Sequence, residues 1–146
     1  MLIRKFVPGD IPAVSKVVSK SLGENYEPSL YMTIHNLWPE GFLVLVDEGA
    51  IIGFVAAVVS GPKMARVLML AVVPEHRGRS VGSSLMGALY SNCIARDLDT
   101  VVLEVRKSNA KAKMFYERQG FRVTGEIKRF YTNGEDADKM SKSLLS

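Results

Sequence analysis

Between Phe42 and Val72 the chain carries three runs of β-branched and aromatic residues with almost nothing between them. Phe42 to Val46 and Ala50 to Val59 are separated only by Asp47-Glu48-Gly49, a short hairpin connection. Gly61-Pro62 turns the chain again, and Val67 to Val72 completes the set. Links this short commit the middle of the chain to a sheet, which the flanking segments must cover. On the N-terminal side Asp10 is a good helix cap and Pro12 sits in the first turn. Ile11, Val14, Val17, Val18 and Leu22 then recur at helical spacing until Gly23. A weaker helix is expected over Ser29 to Leu37, stopped by Pro39. Val81 to Ala95 is the clearest helix, with Val81, Leu85, Ala88, Leu89 and Cys93 on one face. Thr100 to Val105 reads as a strand, and Ala110 to Arg118 as a short helix ended by Gly120. Ile3 to Val7 reads as a short opening strand, and Phe121 to Phe130 and Ala137 to Leu144 as two closing strands around Asn133-Gly134.

The order β-α-α-β-β-β-α-β-α-β-β predicts an α/β chain of the α+β kind, a mixed sheet with helices on its faces. A length of 146 residues suits one domain, 1–146, able to bury its own core. With 47% hydrophobic and 23% charged residues, disorder, collagen-like repeats and coiled coils are excluded. The lone Cys93 rules out an internal disulfide and fits a reducing compartment. The opening Met1 to Pro8 lacks the apolar core of a secretory signal, and no apolar stretch is long enough to span a bilayer. A cytoplasmic protein with no membrane partner is expected. The net charge of +4 is spread without a run of five like charges, and aromatic and basic residues do not interleave. Both observations argue against a nucleic-acid partner. His35, His76 and Cys93 lack ligand spacing, so no metal is expected.

Open α/β sheets bind ligands where strands feed helices, here at 72→81 and 105→110. The first junction, Arg77-Gly78-Arg79-Ser80-Val81-Gly82-Ser83-Ser84, lacks bulk as a helix begins. Free N–H groups, the helix dipole and two arginines suit a phosphate or diphosphate of unstated kind. The alternative is a helix start with two solvated arginines. At the second junction Asn109 is placed to cap a helix, and Tyr116 lies two turns later on the same side. Glu104 interrupts the apolar run Val101, Val102, Leu103 and Val105. It is either a solvent-facing strand position or a partly desolvated base able to take a proton from an ammonium.

The first segment, following a strand that ends Leu70-Ala71-Val72, resembles the pyrophosphate signature of the GCN5-related N-acetyltransferases (GNAT). Ser80 stands where that pattern normally has glycine. Asn109, Ala112, Tyr116, Gly120 and Phe121 resemble the second signature of the same family. The resemblance implies the GNAT fold, a mostly antiparallel sheet of about seven strands with four helices and acetyl-CoA between the fourth and fifth strands. It implies that Leu70, Ala71 and Val72 pair with the pantetheine arm. Arg77, Gly78, Arg79, Ser80, Val81, Gly82 and Ser83 would hold the pyrophosphate, and Asn109 the arm again. Tyr116 would meet both cofactor and leaving thiolate as an acid, with Glu104 as base, as in the bacterial ribosomal-protein alanine N-acetyltransferases.

Ser21-Leu22-Gly23-Glu24-Asn25-Tyr26 and Phe130-Tyr131-Thr132-Asn133-Gly134-Glu135-Asp136-Ala137 resemble two loops of the eukaryotic and archaeal protein N-terminal acetyltransferases. Gly23 replaces their usual proline. In those relatives the loops wall a peptide groove, so the resemblance implies that Leu22, Glu24, Tyr26 and Tyr131 bind the substrate's first residues. A protein or peptide N-terminus is then the expected acceptor, with an auxiliary subunit or a second copy of the chain as open partners. An α-amine suits this chemistry. With a pKa near 8, roughly a tenth is neutral at pH 7, against fewer than about one lysine in a thousand. Lysine side chains, a small amine, or a non-catalytic acyl-CoA-binding role are the alternatives.

Overall fold

The structure is a computed structural model describing residues 1–78 and 80–145. Seven strands form one sheet: β1 (Leu2–Lys5), β2 (Phe42–Asp47), β3 (Ala50–Val59), β4 (Met64–Val72), β5 (Thr100–Arg106), β6 (Arg122–Ile127) and β7 (Ala137–Ser143). Their spatial order is β1-β2-β3-β4-β5-β7-β6, and every neighbouring pair is antiparallel except β4 and β5. Four helices accompany them: α1 (Ile11–Leu22), α2 (Pro28–Leu37), α3 (Val81–Ala95) and α4 (Ala110–Arg118). This mixed α/β sheet with four helices is the expected fold.

In β3, residues 52–57 are buried without a break, which requires cover on both faces. Gly53 faces α3 so closely that a Cβ there would lie 3.2 Å from Val81 Cγ1 and 3.0 Å from the Ala71 carbonyl. Its neighbour Phe54 therefore faces the other way, where Phe42 stacks on Phe6 at 4.0 Å beneath α1 and α2. Tyr31 of α2 and Trp38 are both almost fully buried, and Trp38 borders Asn92 and Ala95 of α3.

Several boundaries differ from the sequence expectation. Strand β1 ends at Lys5, because the segment to Asp10 is claimed by a 3-10 turn over Pro8–Asp10. Asp10 does not cap α1 with its side chain. Its carboxylate instead forks onto Arg4, at 2.7 and 3.0 Å, and accepts the Val7 N–H at 2.9 Å. Strand β4 begins at Met64, earlier than Val67, because Met64 to Arg66 pair with β5. Strand β6 stops at Ile127 rather than Phe130: Arg129 turns left-handed, φ +52°, and its N–H donates to Asp136 Oδ1. Phe130 and Tyr131 thereby leave the sheet for a loop.

Two irregularities open the sheet at its centre. Strands β4 and β5 pair only at Met64–Thr100, Ala65–Val101 and Arg66–Val102, and then diverge. Beyond that vertex β5 stays paired with β7. Opposite, Ala56 pairs with Met69 but Ala57 with Val67, so β4 carries one extra residue at Leu68. Such a bulge shifts the alternation of side chains. Leu70 accordingly lies on the α3 face, near Gly82, whereas Arg66 projects from the opposite face.

Candidate active site

A cleft of about 640 Å³ occupies the divergence between β4 and β5 on the α3 side. Leu70, Ala71 and Val72 form one wall, and Asn109, Ala112, Phe115 and Tyr116 another. His76, Arg77, Gly78, Ser80, Val81, Gly82 and Ser83 close its end, and Ser21 and Leu22 border it from α1. Every described residue that the sequence pattern assigned to the cofactor lines this cleft; Arg79 lies outside the described residues. Ser21 and Ala112, which the sequence motifs include without a role, also line it, as do His76, Lys111 and Phe115, to which the sequence pattern gave no part in the site.

Local rules explain the shape. Gly78 has φ +80° and Ser80 φ +61°, and Ser80 offers no side-chain cap to α3. The first N–H groups of α3 therefore have no cap from that residue, and the positive end of the helix dipole lies at the cleft. A serine in the left-handed region costs roughly 1–2 kcal/mol relative to an unstrained backbone. Gly82 lets α4 approach, since a Cβ there would lie 3.2 Å from Phe115 Cζ. Asn109 does cap α4, its Oδ1 accepting the Ala112 N–H at 3.1 Å. Arg77 reaches sideways, its Nη2 donating to the Ser21 carbonyl at 3.2 Å, and so ties this loop to the end of α1.

Glu104 does not line the cleft. It alternates with buried Leu103 and Val105 and lies on the opposite face with Val102 and Arg106. The side chain is 12% exposed and is not alone. Arg66 donates to its Oε1 from Nε at 2.8 Å and again from Nη2. Two loops flank this carboxylate. Leu22 and Gly23, the latter at φ +66°, end α1 and lead to Glu24 and Tyr26, whose hydroxyl donates to Glu24. On the other side Tyr131 lies 4.0 Å over the Arg106 guanidinium. Arg106 pairs with Glu135 at 3.0 Å, and Ser108 donates to the same carboxylate. Glu135 and Asp136 thus fasten the β6–β7 loop. Sequence reading missed Arg66, which fell outside the expected strand. It also passed over Arg106, although the strand alternation places it beside Glu104.

The tyrosines are held as phenols. Burial, with a smaller effect of Tyr131, pushes Tyr116 up to about 12. Burial and the neighbouring Glu24 carboxylate push Tyr26 up to about 12. Tyr131 is raised by burial, opposed by Arg106, with Glu104, Glu135 and Glu24 close enough to act on it. Cys93 is fully buried, and burial pushes its thiol up to about 11, away from nucleophilic use.

Residues 11–121 match the Acetyltransferase (GNAT) family. An uncharacterized N-acetyltransferase of Methanocaldococcus jannaschii is 32% identical, over 97% of this chain and 91% of its own length. N-alpha-acetyltransferase 30 of Schizosaccharomyces pombe is 33% identical, over 85% of each. The crystal structure of Ard1 from Thermoplasma volcanium superposes with a TM-score of 0.94 at 35% identity, covering 99% of this chain and 98% of that one. On its sequence match and its fold, this chain belongs to the GNAT family of acetyltransferases.

Proposed function

We propose that the protein is an N-alpha-acetyltransferase, moving an acetyl group from acetyl-CoA to the N-terminal amine of a protein or peptide. One observation carries the reading: the gap between β4 and β5 joins a phosphate-ready cleft on one face to a carboxylate between two tyrosine-bearing loops on the other. Two reactants can meet there from opposite sides. The likeness to N-alpha-acetyltransferase 30 supports a protein N-terminus as the acceptor.

The cleft fits the donor. The helix start freed by Ser80 and the small Gly78 and Gly82 suit a pyrophosphate, and the unpaired edge of β4 at Leu70 to Val72 suits an extended amide-bearing arm. Acetyl-CoA, when bound, supplies the acetyl group as a thioester. Glu104 takes a proton from the incoming ammonium or amine. Backbone N–H groups at the end of β4 are placed to polarise a carbonyl in the gap. Tyr116, kept protonated by burial, donates its O–H proton to the departing sulfur. The N–C bond forms as the C–S bond breaks, with no bond to the enzyme. Leu22, Glu24, Tyr26 and Tyr131 would hold the first peptide residues.

Steady-state kinetics on an α-amino peptide test the assignment. Glu104→Gln and Tyr116→Phe are each expected to lower kcat by about a hundredfold or more. Unchanged kcat in both variants would remove these residues from the chemistry.

A further inference from the structure

Among the described residues, two arginine–carboxylate forks are built differently. Arg4 grips Asp10 through both oxygens, Nη1 on Oδ2 and Nη2 on Oδ1, and the Val7 N–H adds a third bond. Such a saturated carboxylate has one job, which is holding the chain. Arg66 instead brings Nε and Nη2 to a single oxygen, Oε1 of Glu104. Oε2 has no hydrogen-bond partner among the described residues. The pair also sits at a particular place. Arg66 is the last residue of β4 paired with β5, opposite Val102, and its side chain reaches past the vertex to a residue beyond it. The backbone bonds of 64–66 already hold the strands together there. A long side chain stretched across the opening therefore adds less to strand pairing than to where the Glu104 carboxylate points.

From this we infer that Arg66 is a positioning residue for acetyl transfer: it fixes Glu104 by one oxygen so that the other is presented, unencumbered, to the acceptor amine. The inference rests on the proposed role of Glu104 as base. A carboxylate on a flexible side chain samples several rotamers, and a base acts only from within hydrogen-bond reach of the proton it removes. Arg66 restricts that sampling without using up the acceptor. Arg66 itself is 38% exposed, but its removal leaves the 12% exposed Glu104 carboxylate without that partner, so each variant is first checked for an intact fold by its thermal melt.

The test compares Arg66→Met, Arg66→Lys, Glu104→Gln and the Arg66→Met/Glu104→Gln double variant on the amine that the wild type acetylates best. Arg66→Met is expected to lower kcat about tenfold or more, with KM for the amine within about twofold. Arg66→Lys, which keeps one donor for Oε1, recovers part of the loss. The double variant is no slower than Glu104→Gln alone, since without the carboxylate there is nothing to position. Full kcat in Arg66→Met, or losses that multiply in the double variant, would overturn the inference. A second readout needs no turnover. The Glu104 side-chain carboxyl carbon resonance, assigned by its disappearance in Glu104→Gln, should move in Arg66→Met and move back towards the wild-type position in Arg66→Lys. An unmoved resonance overturns the inference as well. If the best acceptor proves to be a lysine or a polyamine, the N-terminal reading fails, yet the same comparison still decides the role of Arg66.

Discussion

Ser80 holds a strained backbone at the start of α3. Its φ of +61° is a conformation that glycine adopts without strain and serine does not. Ser80→Gly removes that strain but adds freedom to the unfolded chain, so stability is expected to change by less than about 1 kcal/mol. Ser80→Val adds a branched Cβ to the same strained position and should cost more than about 1 kcal/mol, measured by urea unfolding. A strongly destabilised glycine variant would show that the serine side chain has a role beyond its backbone. Tyr116 is the proposed acid. Its phenol stays protonated until about pH 12. The pH profile of kcat/KM should therefore rise as the α-amine loses its proton near pH 8, then stay level to about pH 10. A descending limb centred below pH 10 would exclude Tyr116 as the acid.

Among the elements, α3 and β4 do most to define the site, and Gly53 is what lets them approach. Gly53→Ala would place a methyl 3.0 Å from the Ala71 carbonyl and 3.3 Å from Leu85 Cδ1. It should destabilise the fold by about 1–3 kcal/mol and weaken CoA binding, because the start of α3 is displaced. Calorimetric CoA affinity unchanged in a destabilised variant would separate the two effects. Elsewhere, acid pairs staple elements to the sheet. Asp10 is held below the usual aspartate range by its bonds from Arg4, and Asp138 by those from Lys113 and then Lys107. A depressed folded value means stability fully present above about pH 4 and lost as pH falls through that value. Asp10→Asn and Asp138→Asn should be less stable at pH 7, with stability that falls less steeply than wild type between about pH 5 and pH 2. Parallel curves would contradict the linkage.

At this scale the sequence was most readable where periodicity is strong. Strands β2 and β3 and helices α1, α3 and α4 appear close to where hydrophobic spacing puts them. The gaps share a physical cause, competition from side chains distant in sequence. Asp10 has the residue type of a cap, but Arg4 claims its carboxylate. Phe130 has strand propensity, but Asp136 captures the Arg129 N–H and turns the chain. Arg66 looks like a polar residue ahead of a strand until Glu104, on the neighbouring strand, is seen to meet it. The cleft itself was legible because its residues are contiguous at two junctions. The Arg66–Glu104 pair was not, because it depends on strand register.

On the proposed function, the whole molecule separates two binding events by a sheet and lets them meet through a gap in it. The donor cleft opens between α3 and α4, and the tyrosine loops and Glu104 lie on the other face. Binding on one side should stabilise the whole fold. CoA at a hundred times its Kd should raise the unfolding free energy by about 2.7 kcal/mol, seen as a higher Tm. A Tm unmoved by CoA would argue that the cleft does not take the donor. On the proposed function, the amine that enters from the opposite face is a peptide's N-terminus. A peptide carrying a free N-terminus and an internal lysine is incubated with acetyl-CoA and the enzyme near pH 7, and fragmentation mass spectrometry locates the new acetyl group. Acetylation is expected at the α-amine with the lysine untouched; acetyl on the lysine, or a peptide left unmodified while acetyl-CoA binds, would contradict the N-terminal assignment.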